Sequence, residues 1–441
     1  MEKKDPQLLE KIRQQFDSAP YPRIPLEKSP KENYDILYIH NLVTSYYLRN
    51  KKVINTENTV ILDAGCGSGY KSLVLAEANP GAKIVGVDLS EKSVELARQR
   101  LEHYGFKTCE FHALSIEDLP KLGLEFDYIN ADEVLYLLPD AVTGLNAMKA
   151  VLKPEGIIRS NLHSSYQRAS YFRAQSLFKF MGLMDESPRE MEMEIVRETM
   201  EALKDAVLIK RQTWSKRMAE SEEAMLANVL LMGDKGSTIP DLFAALKGAN
   251  LEFISMVNWR YWDITGLFKE PDDLPAFLAM SLPELSTEQQ LHLFELLNPV
   301  HRLLDFWCGH PDAAKPDEDI AEWTDTDWEQ TTVHLHPQLR TDKAKEDLIE
   351  SIKTRRPFEI SKYVKIPTLI ALHQESYIVA CLLPLWDSPQ PFMSLVERSH
   401  QIRPVDPITL EPIDKQTIFE QVKELLTDLE PFLYVLLERS T

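Results

Sequence analysis

The 441-residue chain is poor in cysteine, in glycine and in long apolar runs, and each scarcity excludes something. Its four cysteines, Cys66, Cys109, Cys308 and Cys381, lie far apart with no CxxC pair. That excludes a disulfide framework and a cysteine zinc module, and it fits a reducing, cytoplasmic setting. The most apolar late stretch, IPTLIALHQESYIVACLLPLW, is broken by His373, Gln374, Glu375 and two prolines. It falls short of the ~20 apolar residues that span a bilayer. The opening MEKKDPQLLEKIRQQF is charged and amphipathic and lacks the apolar stretch of a signal peptide, so a soluble protein without a membrane partner is expected. No basic run is present either. Lys and Arg number 49 against 69 Asp and Glu, and a net charge of −20 argues against nucleic acid as a partner. What remains is an ordinary globular composition, 44% hydrophobic and 27% charged, with room for two or three domains at ~150 residues each.

Residues 1–57 read as an N-terminal helical lid segment, broken by the prolines of APYPRIPLEKSP. From 58 to 170, strand and helix patterns alternate. The strands are TVILDA (59–64), AKIVGVDL (82–89), TCEFHAL (108–114), FDYINAD (126–132) and, after a KPEG turn, IIRSNLH (157–163). Ser90 is placed to cap the helix that follows the second strand. This alternation predicts an α/β fold, a doubly wound and mostly parallel sheet with right-handed crossovers. Residues 171–310 read as a helical domain and 311–330, rich in Pro and Asp, as a linker. The remainder, 331–441, reads as a C-terminal α+β or winged-helix-like domain.

The informative motif is ILDAGCGSGY, in which Asp63 stands two positions before Gly65, and Gly67 and Gly69 complete a GxGxG loop. Glycine permits positive φ and lets the backbone approach a ligand at the carboxyl end of a first strand. Asp88 ends the next strand, 19 residues after Gly69, where a carboxylate accepts both ribose hydroxyls of an adenosine ligand. A phosphate loop is excluded, because Lys71 follows a tyrosine and no GK[ST] ending exists. A dinucleotide site is the competing reading, but its fingerprint is GxGxxG.

At these residues the chain resembles the class I S-adenosylmethionine-dependent methyltransferases, over roughly residues 20–170. ILDAGCGSG is similar to the family's first motif and VGVDLS to its second. FDYINADEVLYLLPD resembles the segment after strand four, with Tyr136 and Leu137 in place of two histidines and Glu133 where a small residue is usual. LKPEGIIRSNLHS resembles the LKPGG turn and fifth strand. The resemblance implies a Rossmann-like methyltransferase fold and S-adenosyl-L-methionine as cofactor. In it Gly65, Cys66, Gly67 and Gly69 hold the methionine part, Asp63 orients its amino group, Asp88 meets the ribose and Leu89 lies beside the adenine. Leu114 and Ser115 replace the family's Gly-Asp pair, so the adenine contact is weaker or passes to the backbone, with Ser115 and Ile116 as its candidates. Asn130, at the end of strand four, completes the expected cofactor set.

Methyl transfer is an in-line displacement from a sulfonium, for which a protein supplies proximity, orientation and a dry pocket. Acceptor-side candidates are Asn130, Asp132, Glu133, Tyr136, Asn161, His163 and Tyr166, with Tyr21, Tyr34 and Tyr38 as lid residues. Among them His163, Glu133 and Tyr136 are the expected catalytic set, with His163 as base. The competing readings are a histidine bonded to structural backbone and carboxylates that cap the following helix. His334 with His336, and Cys308 with His310, lack further ligands, so no metal is expected. IRSNLHSSYQRASYFRAQ resembles the region after strand five in methyltransferases that follow tetratricopeptide repeats. ISKYVKIPTLIALHQ and the tail resemble the regulatory domain of some bacterial protein lysine methyltransferases. These likenesses, with the acidic charge, imply an acceptor on a protein or peptide side chain. A small-metabolite acceptor (N or O) is the alternative and a non-catalytic cofactor-binding scaffold the third reading. An open acidic groove, a closed aromatic pocket or a blocked glycine loop would mark the three in turn. A homodimer stays open.

Overall fold

A computed structural model describes residues 10, 13, 14, 17, 21–313, 319–366, 368, 370–406 and 408–439. Helices α1 (Tyr34–His40) and α2 (Leu42–Asn50) lead into β1 (Val60–Ala64), α3 (Tyr70–Ala78), β2 (Lys83–Asp88), α4 (Glu91–His103) and β3 (Glu110–Ala113). Then follow β4 (Phe126–Ala131), α5 (Ala141–Lys149) and β5 (Leu152–Ser164). Ser90 caps α4, its hydroxyl accepting the Ser93 N–H at 3.1 Å. The central strands are apolar on both faces, as a sheet covered by helices on each side requires.

Beyond β5 the chain departs from the helical domain expected over 171–310. It does contain α6 (Ala169–Phe180) and α7 (Glu190–Ala202), which with the short helices Leu208–Thr213, Lys216–Glu220 and Glu222–Leu226 bury a methionine-rich cluster around Phe178, Met200 and Met225. However, β6 (Gly236–Ser237), β7 (Glu252–Met256) and β8 (Leu303–Gly309) are strands of the core sheet, flanked by α8 (Ile239–Gly248) and α9 (Thr287–Leu297). The sheet order is β3-β2-β1-β4-β5-β8-β7, with β6 beside β5 and with β8 antiparallel to both neighbours. The physical reason is the edge of β5. Left unpaired, its thirteen-residue row of N–H and C=O groups would stay open, and LLDFWCG closes it. Short strands between long amphipathic helices carry too little pattern to show in the sequence.

The last third forms a second core. In it β9 (Thr331–Leu335) runs between β12 (Gln390–Pro391) and β13 (Val435–Arg439), covered by α10 (Asp342–Thr354), α11 (Phe392–Ile402) and α12 (Lys415–Leu429). A two-residue ribbon of β10 (Phe358–Glu359) and β11 (His373–Gln374) completes it. Ile320, Trp323 and Trp328 are buried in this core, so residues 319–330 belong to it rather than to the linker expected over 311–330. Residues 314–318 of that stretch, and most of 1–20 of the expected lid, lie outside the described residues.

The N-terminal segment also differs from a simple lid. Tyr38 is fully buried in the second core and donates to the Phe432 carbonyl at 2.8 Å, and Tyr34 packs against the same core. Neither is a lid residue. Tyr47 accepts the Leu437 N–H at 2.9 Å, so α1 and α2 are the joint between the two cores. His336 seals this joint. Its Nε2 lies 3.0 Å from Thr44 Oγ1 and its Nδ1 accepts the Gln338 N–H, which leaves the ring neutral. Burial pushes its pKa down to about 3. The unfolded state protonates near 6.5 while the folded state does not. Stability is therefore complete above pH 6.5 and falls toward pH 3, at up to about 1.4 kcal/mol per pH unit from this group. We expect His336→Gln to flatten the urea midpoint between pH 6.5 and 4, and an unchanged slope would refute the assignment.

Among the described residues, no helix is long and apolar enough to cross a membrane.

Candidate active site

At the carboxyl ends of β2, β1 and β4 lies a cavity of about 350 Å³. The glycine loop forms its floor. Gly65, Gly67 and Gly69 all adopt positive φ, and a Cβ on Gly67 would stand 2.2 Å from the Tyr21 carbonyl. Only glycine fits there, because the strap Tyr21–Pro25 lies directly over the loop. The Tyr21 carbonyl accepts the Ser68 N–H at 3.0 Å, and the Pro22 carbonyl accepts the Ser68 hydroxyl at 2.7 Å. Arg100 fastens the strap from below, donating to the carbonyls of Ile24 and Pro25 and to that of Ser68. Arg23 ties the strap to Glu222 and Glu223 on the short helix Glu222–Leu226. The cavity therefore has a roof, and Tyr21, Leu226 and Leu231 belong to it.

One end of the cavity is built on β2 and β3. Asp88 accepts the Gly67 N–H and the Ser90 N–H, each at 2.9 Å, and burial raises its carboxyl against those two bonds. Leu89, Ser115, Ile116 and Cys66 line the same wall. Asp63, Gly69 and Asn130 stand outside the cavity wall. Asp63 is 1% exposed and accepts from Ser72 Oγ at 2.6 Å and Asn130 Nδ2 at 2.9 Å. Burial pushes its pKa up to about 6. It braces the loop rather than facing a ligand.

Beneath the loop runs a charged network that joins residues of β4, β5 and β8. Arg159 donates to both oxygens of Asp305, at 3.1 and 2.6 Å, and to Asn130 Oδ1 at 3.1 Å. Its Nη1 also lies 2.7 Å from His40 Nε2. Asp132 completes the network, 2.7 Å from Lys71 Nζ and 3.5 Å from Arg159. Burial works against the Asp132 carboxylate, but Lys71 and Arg159 override it and hold the carboxyl well below its usual range.

The other end of the cavity lies at β4. Glu133 has φ +59, its N–H is accepted by Asn161 Oδ1 at 2.9 Å, and its carboxylate pairs with Arg302 and accepts from the Tyr136 hydroxyl at 3.2 Å. The capping reading for Asp132 and Glu133 is corrected, because α5 is capped by Asp140. His163 is fully buried behind Tyr136, the two rings stacked at 3.7 Å. Its Nδ1 lies 2.6 Å from Asp234 and its Nε2 3.1 Å from Arg302. Arginine can only donate, so Nε2 accepts and Nδ1–H donates to Asp234. Burial lowers the His163 pKa although Asp234 opposes it. The expected base is thus a neutral ring outside the cavity, and its partners are side chains rather than backbone. Burial, with Glu133 adding, raises Tyr21 to about 12, and the same two causes raise Tyr136 well above its usual value, so both phenols keep their protons. Tyr166, 41% exposed, does not line the cavity. Sequence reasoning missed Lys71, Arg159, Asp234, Arg302 and Asp305. For Lys71 its place on the first turn of the loop's helix was the available signal.

Among the described residues no three His, Cys, Asp or Glu side chains gather as a metal site. The residues present do fit an adenosyl sulfonium amino acid. The Asp88 carboxylate stands at the end of β2, Val87, Leu89 and Ile116 give apolar wall beside it, and Gly65, Cys66 and Gly67 line the same cavity.

The fold and this site are those of a class I S-adenosylmethionine-dependent methyltransferase. Residues 55–225 match the model of a methyltransferase domain. An uncharacterized protein of Synechococcus sp. is 25% identical over 332 residues, covering 71% of this chain and 73% of that protein. The ubiquinone biosynthesis O-methyltransferase of Actinobacillus pleuropneumoniae is 33% identical over 103 residues, covering 22% of this chain and 43% of that enzyme. The chain thus spans less than half of the latter. PKMT2 from Rickettsia typhi has the same fold, with a TM-score of 0.59 at 14% identity over 91% of this chain and 75% of that one. The likeness in fold therefore extends into the C-terminal half.

Proposed function

We propose that the protein transfers a methyl group from S-adenosyl-L-methionine to an amine on a protein or peptide side chain. The observation that carries this is the make-up of the acceptor end. Leu226, Ala227 and Leu231 add apolar lining suited to an aliphatic stem, and Glu133 with the Tyr21 and Tyr136 phenols lines the same cavity as a polar group suited to an amine. The cofactor supplies an activated methyl that departs from sulfur with its bond electrons left on the thioether. The acceptor nitrogen needs its lone pair free. Glu133 and the two phenols hold its remaining hydrogens, and the stacked pair of Tyr136 and His163 keeps that wall rigid. Asp234 and Arg302 position His163 and Glu133 rather than touch the acceptor. The fold of PKMT2, a protein lysine methyltransferase, supports the reading over nearly the whole chain.

The roof of Tyr21–Pro25 favours a second reading, a small-metabolite acceptor enclosed beneath it. Tritiated S-adenosylmethionine with cell lysate separates the two. Label is expected in the protein fraction, with mass spectrometry placing a 14-dalton gain on lysine. Label confined to the small-molecule fraction would install the metabolite reading instead.

A further inference from the structure

In the methyltransferase resemblance the methionine amino group falls to Asp63, yet Asp63 is buried beneath the loop with Ser72 and Asn130 bonded to its two oxygens. Another pair stands at the wall. Lys71 and Asp132 both line the cavity, between the glycine loop and β4, and form an ion pair at 2.7 Å. Their place along the sheet is telling. Asp88, after β2, marks the ribose end, and Glu133, after β4, marks the acceptor end. The strand order β2-β1-β4 puts the first turn of α3, which follows β1, between these two, and Asp132 precedes Glu133 at the end of β4. This is where an adenosyl amino acid carries its ammonium and carboxylate.

We propose that Lys71 and Asp132 form a clamp for the amino-acid zwitterion of the cofactor, Lys71 taking the carboxylate and Asp132 the ammonium. The internal pair acts as a template that opens when the zwitterion enters. Asp132 is the fixed member. Its side chain is 8% exposed and is held by Asn161 Nδ2 at 2.7 Å and by Arg159, so it keeps its charge and place when Lys71 turns away. Lys71 is 30% exposed on a flexible stem, and it is the member that moves. Each charge leaves one partner and gains another, so no charge is left buried and unpaired. The assignment rests on the cofactor reading, and it moves the amino-group role from Asp63 to Asp132.

The test is calorimetric titration of the full chain with three ligands: S-adenosylhomocysteine, its decarboxylated analogue, and 5′-methylthioadenosine, which lacks both charged groups. The wild type is expected to prefer S-adenosylhomocysteine over the decarboxylated analogue by roughly 10- to 100-fold, the worth of a charge-assisted bond. Lys71→Met is expected to erase that preference and Lys71→Arg to keep it. Asp132→Asn should weaken both amine-bearing ligands. Unchanged binding of methylthioadenosine shows that each variant is folded. If the wild type does not discriminate, or Lys71→Met still does, the clamp is wrong and the cofactor reading stands. If the wild type binds none of the three, both fall.

Discussion

Arg159→Met is expected to destabilise the protein by about 3–5 kcal/mol in urea unfolding at pH 7, the typical result of removing one partner from a buried ionic network. The guanidinium is 3% exposed and serves Asp305, Asp132, Asn130 and His40 together. It stays charged despite burial because Asp305 and Asp132 flank it. Methionine fills the volume of the stem but leaves the Asp305 carboxylate without a cation, and that uncompensated charge dominates the loss. The prediction therefore has a second part. Adding Asp305→Leu to Arg159→Met should recover part of the stability, since replacing a buried pair by apolar residues is often neutral. A loss under about 1 kcal/mol for the single variant, or an additive double variant, would mean that water already reaches the network.

Asp88→Ala should weaken binding of S-adenosylhomocysteine by roughly 100-fold or more, with the fold kept. A carboxylate that accepts two ribose hydroxyls makes charge-assisted bonds, and losing two of them costs about 3 kcal/mol or more. Asp88 already accepts the N–H groups of Gly67 and Ser90, so it also sets the loop at the height the ribose needs. Asp88→Asn separates these effects. It retains one acceptor oxygen for the loop and should fall between wild type and alanine. Calorimetry reads the affinity and thermal unfolding the fold. Equal affinity in wild type and Asp88→Ala would remove Asp88 from the site.

Much of the cofactor half was legible because its signals are local. A GxGxG loop needs its glycines for positive φ and Asp88 ends a strand whose apolar run is visible, while Leu89, Ser115 and Ile116 follow from the family resemblance, and all four line the cavity. The acceptor half was legible only as residue types. His163 lies at the end of a recognisable strand, yet its environment comes from Asp234 and Arg302, seventy and more positions away. Nothing within a window around His163 distinguishes a base that faces the cavity from a ring sealed behind Tyr136. Tyr34 and Tyr38 misled for the same reason. Aromatics on an amphipathic helix near an expected site read as a lid, and the partner that claims them is the second core, built mainly from residues beyond 319.

The chain by itself thus determined the parallel sheet, the glycine loop and the carboxylate at the end of β2, since backbone conformation and strand periodicity are decided by neighbours in sequence. Tertiary structure alone decided that β8 closes the edge of β5, that Asp63 turns inward while Asp132 faces the cavity, and that Lys71 stands opposite it. Those outcomes depend on long-range strand pairing and on which buried charge finds which partner. Desolvation makes a buried charge left without its partner cost several kcal/mol, and that partner is known only after the distant segments have met.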